Sequence, residues 1–204
     1  VKSKHCYQLG KELANMHKHT QDFNKKRKNN LHQSSWCRIF KKCQKIKNHK
    51  YHKLSKVIKN ELDFLEKNWP KKLPKGVIHA DVFQDNVFFT NDKLSGLIDF
   101  YFACNDYYAY ELAICINAWC FDEKIIFNKK KFNSIIQGYE KIRKLSNKEH
   151  KFLGVLLRGA AMRFFLTRLH DLLFHSKSAY VKPKDPMEYF KILQFHKSNN
   201  LNEY

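Results

Sequence analysis

The chain has 204 residues and a mass of 24.5 kDa, which is enough for one folded domain with a hydrophobic core of its own. A hydrophobic share of 43%, with 15% aromatic residues, excludes an intrinsically disordered chain. The formal net charge is +20, and the best candidate for a membrane span, residues 152–169, carries three arginines, which excludes that role.

Helices are predicted in the first part of the chain, on either side of a polar stretch. Ser3 is placed to cap a first helix whose apolar residues recur at three-to-four spacing. Residues 20–52 are rich in Lys and Asn and predict a long loop with a short helix near 34–46. A regular apolar stripe predicts an amphipathic helix over 53–69, which Pro70 ends.

The pattern changes to short apolar segments in the middle of the chain. Residues 77–79, 87–89 and 94–100 predict β-strands, and the Asn-Asp-Lys sequence at 91–93 predicts a hairpin turn between the last two. The sequence therefore predicts a small set of strands inside a mainly helical chain.

Helices are predicted again after these strands. Residues 110–120 are apolar nearly all round and predict a buried helix, and a further helix is predicted over 131–143. A Ser-x-x-Glu capping box opens a long helix over 146–175, and an Asp-Pro pair opens a last helix over 185–196.

The residues that suggest chemistry lie in an acidic island within this basic chain. Residues 81–123 contain eight acidic residues and one basic residue, Lys93. The island opens on His-Ala-Asp-Val-Phe-Gln-Asp-Asn at 79–86, which fits the pattern H-x-D-x-x-x-x-N of catalytic loops in protein-kinase-like phosphotransferases. Thirteen residues further on, Asp99 follows the last predicted strand.

These residue types suit phosphoryl transfer from ATP. A carboxylate such as Asp81 can orient an acceptor hydroxyl and take its proton. Mg²⁺ prefers hard oxygen ligands, which the Asn86 amide and the Asp99 carboxylate supply. A hairpin over 87–100 would bring Asp99 back beside Asn86, so the sequence predicts ATP and Mg²⁺ as cofactors, Asp81 as the catalytic residue, and Asn86 and Asp99 as metal ligands.

The segments 76–122, 157–171 and 181–193 resemble the homoserine kinases of the aminoglycoside phosphotransferase and choline kinase-like family. The resemblance covers essentially the whole chain, 1–204. It implies a mainly α (α+β) fold: the helical C-terminal lobe of a protein-kinase-like enzyme, with a small central β-hairpin that carries the catalytic and metal loops. It also implies ATP-dependent phosphorylation of the L-homoserine hydroxyl to O-phospho-L-homoserine, a step of threonine biosynthesis.

One part of such a kinase has no counterpart in the sequence. The family needs a small N-terminal lobe with a phosphate-covering loop and a lysine that pairs with ATP. Before His79 there is no strand–Gly-rich loop–strand pattern, and Gly10 and Gly76 are the only glycines. We therefore expect a C-terminal lobe without its N-terminal lobe, and weak or no activity of this polypeptide alone.

Homoserine carries an ammonium and a carboxylate, so its site needs both charges. Three acidic residues are candidates for the ammonium: Asp85, Asp106 and Asp122. Arg158, Arg163 and Arg168 are candidates for the carboxylate. Because they are five residues apart on one helix, each is turned by about 140° from the last, and they cannot share a face. We favour Asp85 and Arg163 as substrate-binding residues.

Three more residues are predicted to brace the site. His79 is expected to hold the catalytic loop by hydrogen bonds, and Asp106 to cap the helix that begins near Tyr108. Glu111 stands where the resembling kinases have Asp, and we expect it to brace the catalytic loop.

The six cysteines form no C-x-x-C pair, and the N-terminus shows no apolar signal region. Cys104, Cys115 and Cys120 lie in apolar surroundings and predict buried thiols in the reducing cytoplasm. Two alternatives stay open: a catalytically silent lobe or polyanion binder, and a kinase of another hydroxylated amine such as choline or an aminoglycoside. Binding to nucleic acid is not favoured, because 33 of the 39 basic residues are lysine.

Overall fold

The structure, a computed structural model, describes residues 1–46, 50–176 and 182–199. Seven α-helices lie in these ranges, at Ser3–His19 (α1), Gln33–Gln44 (α2), Ser55–Asn68 (α3), Tyr108–Trp119 (α4), Lys129–Glu140 (α5), Asn147–Leu173 (α6) and Pro186–Ser198 (α7). Four short strands lie there too, at Lys75–Ile78 (β1), Val87–Thr90 (β2), Lys93–Leu97 (β3) and Cys104–Tyr107 (β4). The predicted fold class, mainly helical with a small β component, is confirmed.

The helix boundaries agree with the sequence patterns to within a few residues, and the caps explain them. The Ser146 hydroxyl accepts a hydrogen bond from the Glu149 N–H at 3.2 Å, and the Glu149 carboxylate accepts one from the Ser146 N–H at 2.9 Å, so the predicted capping box of α6 forms. Asp185 accepts from the N–H of Met187 at the start of α7. The first helix differs, because its N-cap residue is Lys2 and not Ser3.

The four strands form two antiparallel pairs, β1 with β4 on either side of the segment 79–102 and β2 with β3 inside it. The hairpin β2–β3 has Val87 opposite Leu97, and β1 pairs with β4 over Ile78 opposite Cys104. The sequence did not predict β4. The predicted strand over 94–100 stops at Leu97, since Asp99 takes a left-handed φ of 61° that a strand does not accommodate.

Helices α4 and α6 form the centre of the core. All residues of α4 except Ala118 are buried, and α6 packs against α7, α4 and α2. At the edge, α1 and α5 approach closely: a Cβ at Gly10 would lie 2.1 Å from the Ile135 carbonyl oxygen, and one at Gly138 would lie 2.0 Å from that of Tyr7. The closely packed helices therefore form a frame beside the strands, and the hairpin β2–β3 stays largely exposed.

A buried ion pair joins α3 to α6 within this frame. The Arg158 guanidinium donates to both carboxylate oxygens of Glu61, at 2.7 Å each, and Lys197 Nζ lies 3.4 Å from the same carboxylate. The guanidinium also lies over the ring of Phe64, 3.6 Å from its centroid. Arg158 thus acts within the core.

The predicted burial of the thiols is confirmed. Cys104, Cys115 and Cys120 are buried and free of disulfides, and burial raises the pKa of the Cys104 thiol to about 12. No helix among the described residues combines the length and the apolar character that crossing a bilayer demands.

Candidate active site

The catalytic-loop segment 79–86 connects β1 to β2, and the helical frame fixes its conformation. Ala80 has a φ of 65°, a left-handed backbone that L-residues rarely adopt. The buried carboxylate of Glu111, on α4, accepts hydrogen bonds from the N–H groups of His79 and Ala80, the second at 3.0 Å. Arg163, on α6, donates to the Ala80 carbonyl oxygen at 2.7 Å. Two buried charged side chains therefore hold both sides of one strained residue.

His79 links this loop to the segment that carries Asp99. Its Nδ1 accepts a hydrogen bond from the N–H of Asp81 at 3.3 Å, so its Nε2 can donate to the Ile98 carbonyl oxygen, 2.9 Å away. The ring also packs on Phe100, with 4.6 Å between the ring centroids. His79 therefore positions both segments through hydrogen bonds.

Asp81 and Asn86 are in direct contact. The Asn86 amide nitrogen donates to the Asp81 backbone oxygen at 2.8 Å and lies 3.4 Å from its carboxylate oxygen Oδ2. Because the amide nitrogen is engaged in this way, the amide carbonyl oxygen remains available as a ligand.

The environment of the Asp81 carboxylate raises its pKa. Burial raises the pKa of Asp81 above its ordinary value, Arg163 and His79 oppose that rise, and the neighbouring carboxylates of Asp99 and Asp85 add to it. A higher pKa makes this carboxylate a stronger acceptor for a hydroxyl proton.

The backbone after β3 brings Asp99 to the same place. The N–H of Ile98 donates to the Asn86 carbonyl oxygen at 3.1 Å, and Asp99 itself caps the short 3₁₀ turn Phe100–Phe102 by accepting from the N–H of Tyr101 at 3.4 Å. Asp99 is exposed, so its carboxylate can reach a ligand.

One cavity of about 650 Å³ brings these side chains together. The predicted site residues that line it are Asp81, Asp85, Asn86, Asp99 and Arg163. Helices α2 and α6 supply much of the remaining wall. The sequence prediction that a hairpin returns Asp99 to the vicinity of Asn86 therefore agrees with the geometry.

The arrangement suits a magnesium ion that is shared with a nucleotide. Among the described ranges, no three His, Cys, Asp or Glu residues cluster into a metal site formed by protein alone. Asn86 and Asp99 line the same cavity and supply one amide oxygen and one carboxylate. Mg²⁺ is commonly held by one or two such groups together with substrate phosphates, so the donor set fits the ion.

The three arginines of α6 point to different partners. Arg158 pairs with Glu61, away from the cavity, and Arg168 lies 2.6 Å from the Glu188 carboxylate. Arg163 lines the cavity but is only 2% exposed. Its guanidinium contacts the catalytic loop, and its predicted role as a substrate ligand stays a prediction.

The prediction for Asp106 as a helix cap is wrong. Helix α4 begins after Tyr107 with no side-chain cap, whereas the Asp106 carboxylate accepts from Asn29 Nδ2 at 2.7 Å. The reason is that Asp106 lies in β4, where it packs against the segment before α2. Asp122 accepts hydrogen bonds from N–H groups of its own loop and does not line the cavity. Of the three acidic candidates for the ammonium, only Asp85 lines the cavity.

Sequence reasoning missed residues of the polar stretch before and within α2. The Arg27 guanidinium donates to the Tyr101 carbonyl oxygen at 2.6 Å, and the backbone of Arg27 pairs with Asn105 of β4. Arg38 and Lys42 line the cavity. In the sequence they are three more cations in a Lys-rich stretch, so no local signal distinguishes them.

Comparison with known proteins identifies the family. A sequence profile described as "Phosphotransferase enzyme family" matches residues 1–145, which include the loop 79–86 and Asp99. The chain belongs to this phosphotransferase family. The expectation from the resemblance is therefore confirmed at the level of the family.

Similar curated members of the phosphotransferase family are named homoserine kinases. The one from Parvibaculum lavamentivorans is 50% identical over 194 residues, which is 95% of this chain and 60% of the relative. The one from Agrobacterium fabrum is 48% identical over 203 residues, which is 99% of this chain and 63% of the relative. The chain thus spans about three fifths of the length of these relatives.

Solved structures of other phosphotransferases share the fold. An ethanolamine kinase of Plasmodium vivax superposes with a TM-score of 0.67 at 18% identity, over 96% of this chain and 59% of that one. An amicoumacin kinase superposes with a TM-score of 0.65 at 15% identity, over 97% of this chain and 58% of that one. At such low identity these likenesses support the fold alone.

Proposed function

We propose that this chain carries the catalytic and metal-binding part of a homoserine kinase. Such an enzyme transfers the γ-phosphoryl group of ATP to the side-chain hydroxyl of L-homoserine and releases ADP and O-phospho-L-homoserine. The observation that carries the proposal is that Asp81, Asn86 and Asp99 line one cavity, with Asp81 and Asn86 in contact. The choice of homoserine is supported by relatives of that name with about 50% identity.

Asp81 is the proposed catalytic residue. Its carboxylate accepts the hydrogen bond of the acceptor hydroxyl and turns the oxygen toward the γ-phosphorus. As the new P–O bond forms and the bond to the ADP oxygen breaks, the hydroxyl proton passes to Asp81. The surroundings that raise the Asp81 pKa favour this transfer.

Asn86 and Asp99 are the proposed ligands of Mg²⁺. The ion, when bound, neutralises the charge of the triphosphate. His79, Glu111 and Arg163 keep the loop in place, since each contacts its backbone through a hydrogen bond. We further propose that residues 1–204 form one lobe of the enzyme and that it works in the cytoplasm, where its free thiols stay reduced.

The test uses the protein expressed from its complete coding region, so that any residues outside these 204 are present. With Mg²⁺-ATP and L-homoserine, we expect ADP release matched by O-phosphohomoserine. Asp81→Asn should lower kcat by about 10²- to 10⁴-fold, the usual worth of a general base. Asp63→Asn, the same change at an exposed position of α3, should leave kcat unchanged.

Other outcomes would contradict the proposal. Phosphorylation of choline or an aminoglycoside in preference to homoserine would keep the phosphotransferase and replace its acceptor. Salt-sensitive retention on DNA, with no ATP-dependent reaction on any of these alcohols, would favour the polyanion-binding alternative.

A further inference from the structure

The cavity beside Asp81 is lined by more cations than the chemistry of phosphoryl transfer accounts for. Five cationic side chains contribute to it, from α2, α6 and the segment before α7: Arg38, Lys42, Arg163, Arg168 and Lys184. An anionic group of a ligand would find its partners among them, so the question is which of the five are available.

Three of the five are already engaged by the protein. Arg163 is buried and donates to the catalytic loop. Arg168 lies 2.6 Å from the Glu188 carboxylate, and Lys184 Nζ lies 3.5 Å from the Asp85 carboxylate. Each of these cations already has an acceptor in the protein, so part of its charge is compensated before any anionic ligand binds.

Arg38 and Lys42 are available. They are four residues apart on α2 and therefore project from the same face of that helix. Both are exposed, and the described part of the chain offers neither of them a hydrogen-bonded or ion-paired partner. The opposite side of α2 is anchored in the core by Trp36, Phe40 and Cys43, so the helix is a firm support for the two charges.

We infer that Arg38 and Lys42 bind the carboxylate of the acceptor and so select an amino-acid alcohol over a simple amino alcohol. The inference rests on the proposed function and names the residues that determine which acceptor the enzyme prefers. The triphosphate is the other anion of the reaction, but its proposed anchor is the metal at Asn86 and Asp99 on the catalytic-loop wall, whereas Arg38 and Lys42 come from α2.

The test compares two acceptors that differ only by the carboxylate. 3-Aminopropan-1-ol is homoserine without its carboxylate, and both are assayed as substrates of the protein from the complete coding region. In Arg38→Gln/Lys42→Gln, kcat/KM for homoserine should fall by about 10- to 150-fold, mostly through KM, as expected for lost hydrogen bonds to a charged group. The value for 3-aminopropan-1-ol and the KM for ATP should change less than twofold.

Two control variants distinguish the loss of these two charges from a general disturbance of α2. Lys41→Gln removes a charge from the same helix at an exposed residue that does not line this cavity, and should leave both acceptors unchanged. Arg38→Lys/Lys42→Arg keeps both charges and should retain most of the preference for homoserine.

Each contrary result has a distinct meaning. Equal losses for the two acceptors, or an unchanged preference for homoserine, would overturn the inference and leave the homoserine kinase proposal standing. A rise in the KM for ATP alone would assign the two cations to the nucleotide and also overturn it. A wild-type protein that does not phosphorylate homoserine would overturn both.

Discussion

Two buried glutamates of this fold have the same charge and different partners. Glu61 is about 1% exposed and accepts two hydrogen bonds from Arg158, so its partner is a side chain of opposite charge. Glu111 is fully buried and accepts from the backbone N–H groups of the catalytic loop, while the arginine on the other side of that loop, Arg163, donates to a backbone oxygen.

The two glutamates therefore have different roles: Glu61 stabilises the packing of helices, and Glu111 stabilises the conformation of the catalytic loop. The Glu61–Arg158 pair joins α3 to α6, and its two charges neutralise each other. Glu111 and Arg163 instead direct their charges at the peptide groups around Ala80, whose left-handed backbone would otherwise relax. Changes at the first pair should therefore act on stability, and changes at the second on catalysis.

The largest expected effect is on stability. Arg158→Met leaves the Glu61 carboxylate buried, with Lys197 as its ion-pair partner within the described ranges, and should lower the free energy of unfolding by about 3–5 kcal/mol. Urea denaturation measures the loss, and kcat of the folded fraction should not change, because Arg158 is not among the cavity residues. Glu61→Met/Arg158→Met should recover most of the loss. A single variant as stable as the wild type would contradict this account of the pair.

The next effect is on catalysis. Glu111→Gln replaces one accepting oxygen by an NH₂ group that faces a backbone N–H, so one loop hydrogen bond is lost. We expect kcat to fall by about 10- to 150-fold, which corresponds to the 1.5–3 kcal/mol of a hydrogen bond to a charged group. Glu111→Asp keeps the charge and should retain more activity. If kcat of Glu111→Gln stays within twofold of the wild type, the loop does not depend on this carboxylate.

The sequence predicted those features that depend on neighbouring residues. Helical periodicity, the capping box at Ser146 and the hairpin turn before Lys93 are local signals, and the corresponding elements formed. The loop 79–86 was predicted in the same way, from its residue spacing together with the strand before it, the hairpin after it and Asp99 at the end of that hairpin.

Features that depend on distant partners were not predictable in this way. Strand β4 contains the polar pair Asn105 and Asp106 and exists because it pairs with β1, so it shows no apolar alternation of its own. Besides the N–H of its neighbour Tyr107, the Asp106 carboxylate accepts from Asn29, which is 77 positions away and which a local pattern does not indicate. Lys42 became significant only when the fold placed α2 against the cavity.

The smallest expected effect is on the pH dependence of stability. It concerns a residue of the helical frame that lies outside the active-site cavity. His196, on α7, is buried beside Asn117, with 2.8 Å between Nε2 and the Asn117 side-chain oxygen. Burial, aided by the nearby positive charge of Arg158, lowers the pKa of His196 to about 3. The unfolded chain binds this proton below about pH 6.5, whereas the folded chain does not until about pH 3.

The contribution of this histidine is therefore fully present above pH 6.5 and declines as the pH falls, by about 1.4 kcal/mol per pH unit. Urea denaturation of the wild type and His196→Gln at pH 7 and pH 5 measures it, and the stability of the variant should depend less steeply on pH. Activity of the folded fraction should respond in the same way in both proteins, because His196 is not among the cavity residues. Equal pH dependence of stability in the two proteins would show that the frame does not keep this histidine neutral. The acid sensitivity of the fold would then come from other groups, such as Asp92, whose carboxyl pKa Lys4 and His5 lower to about 2.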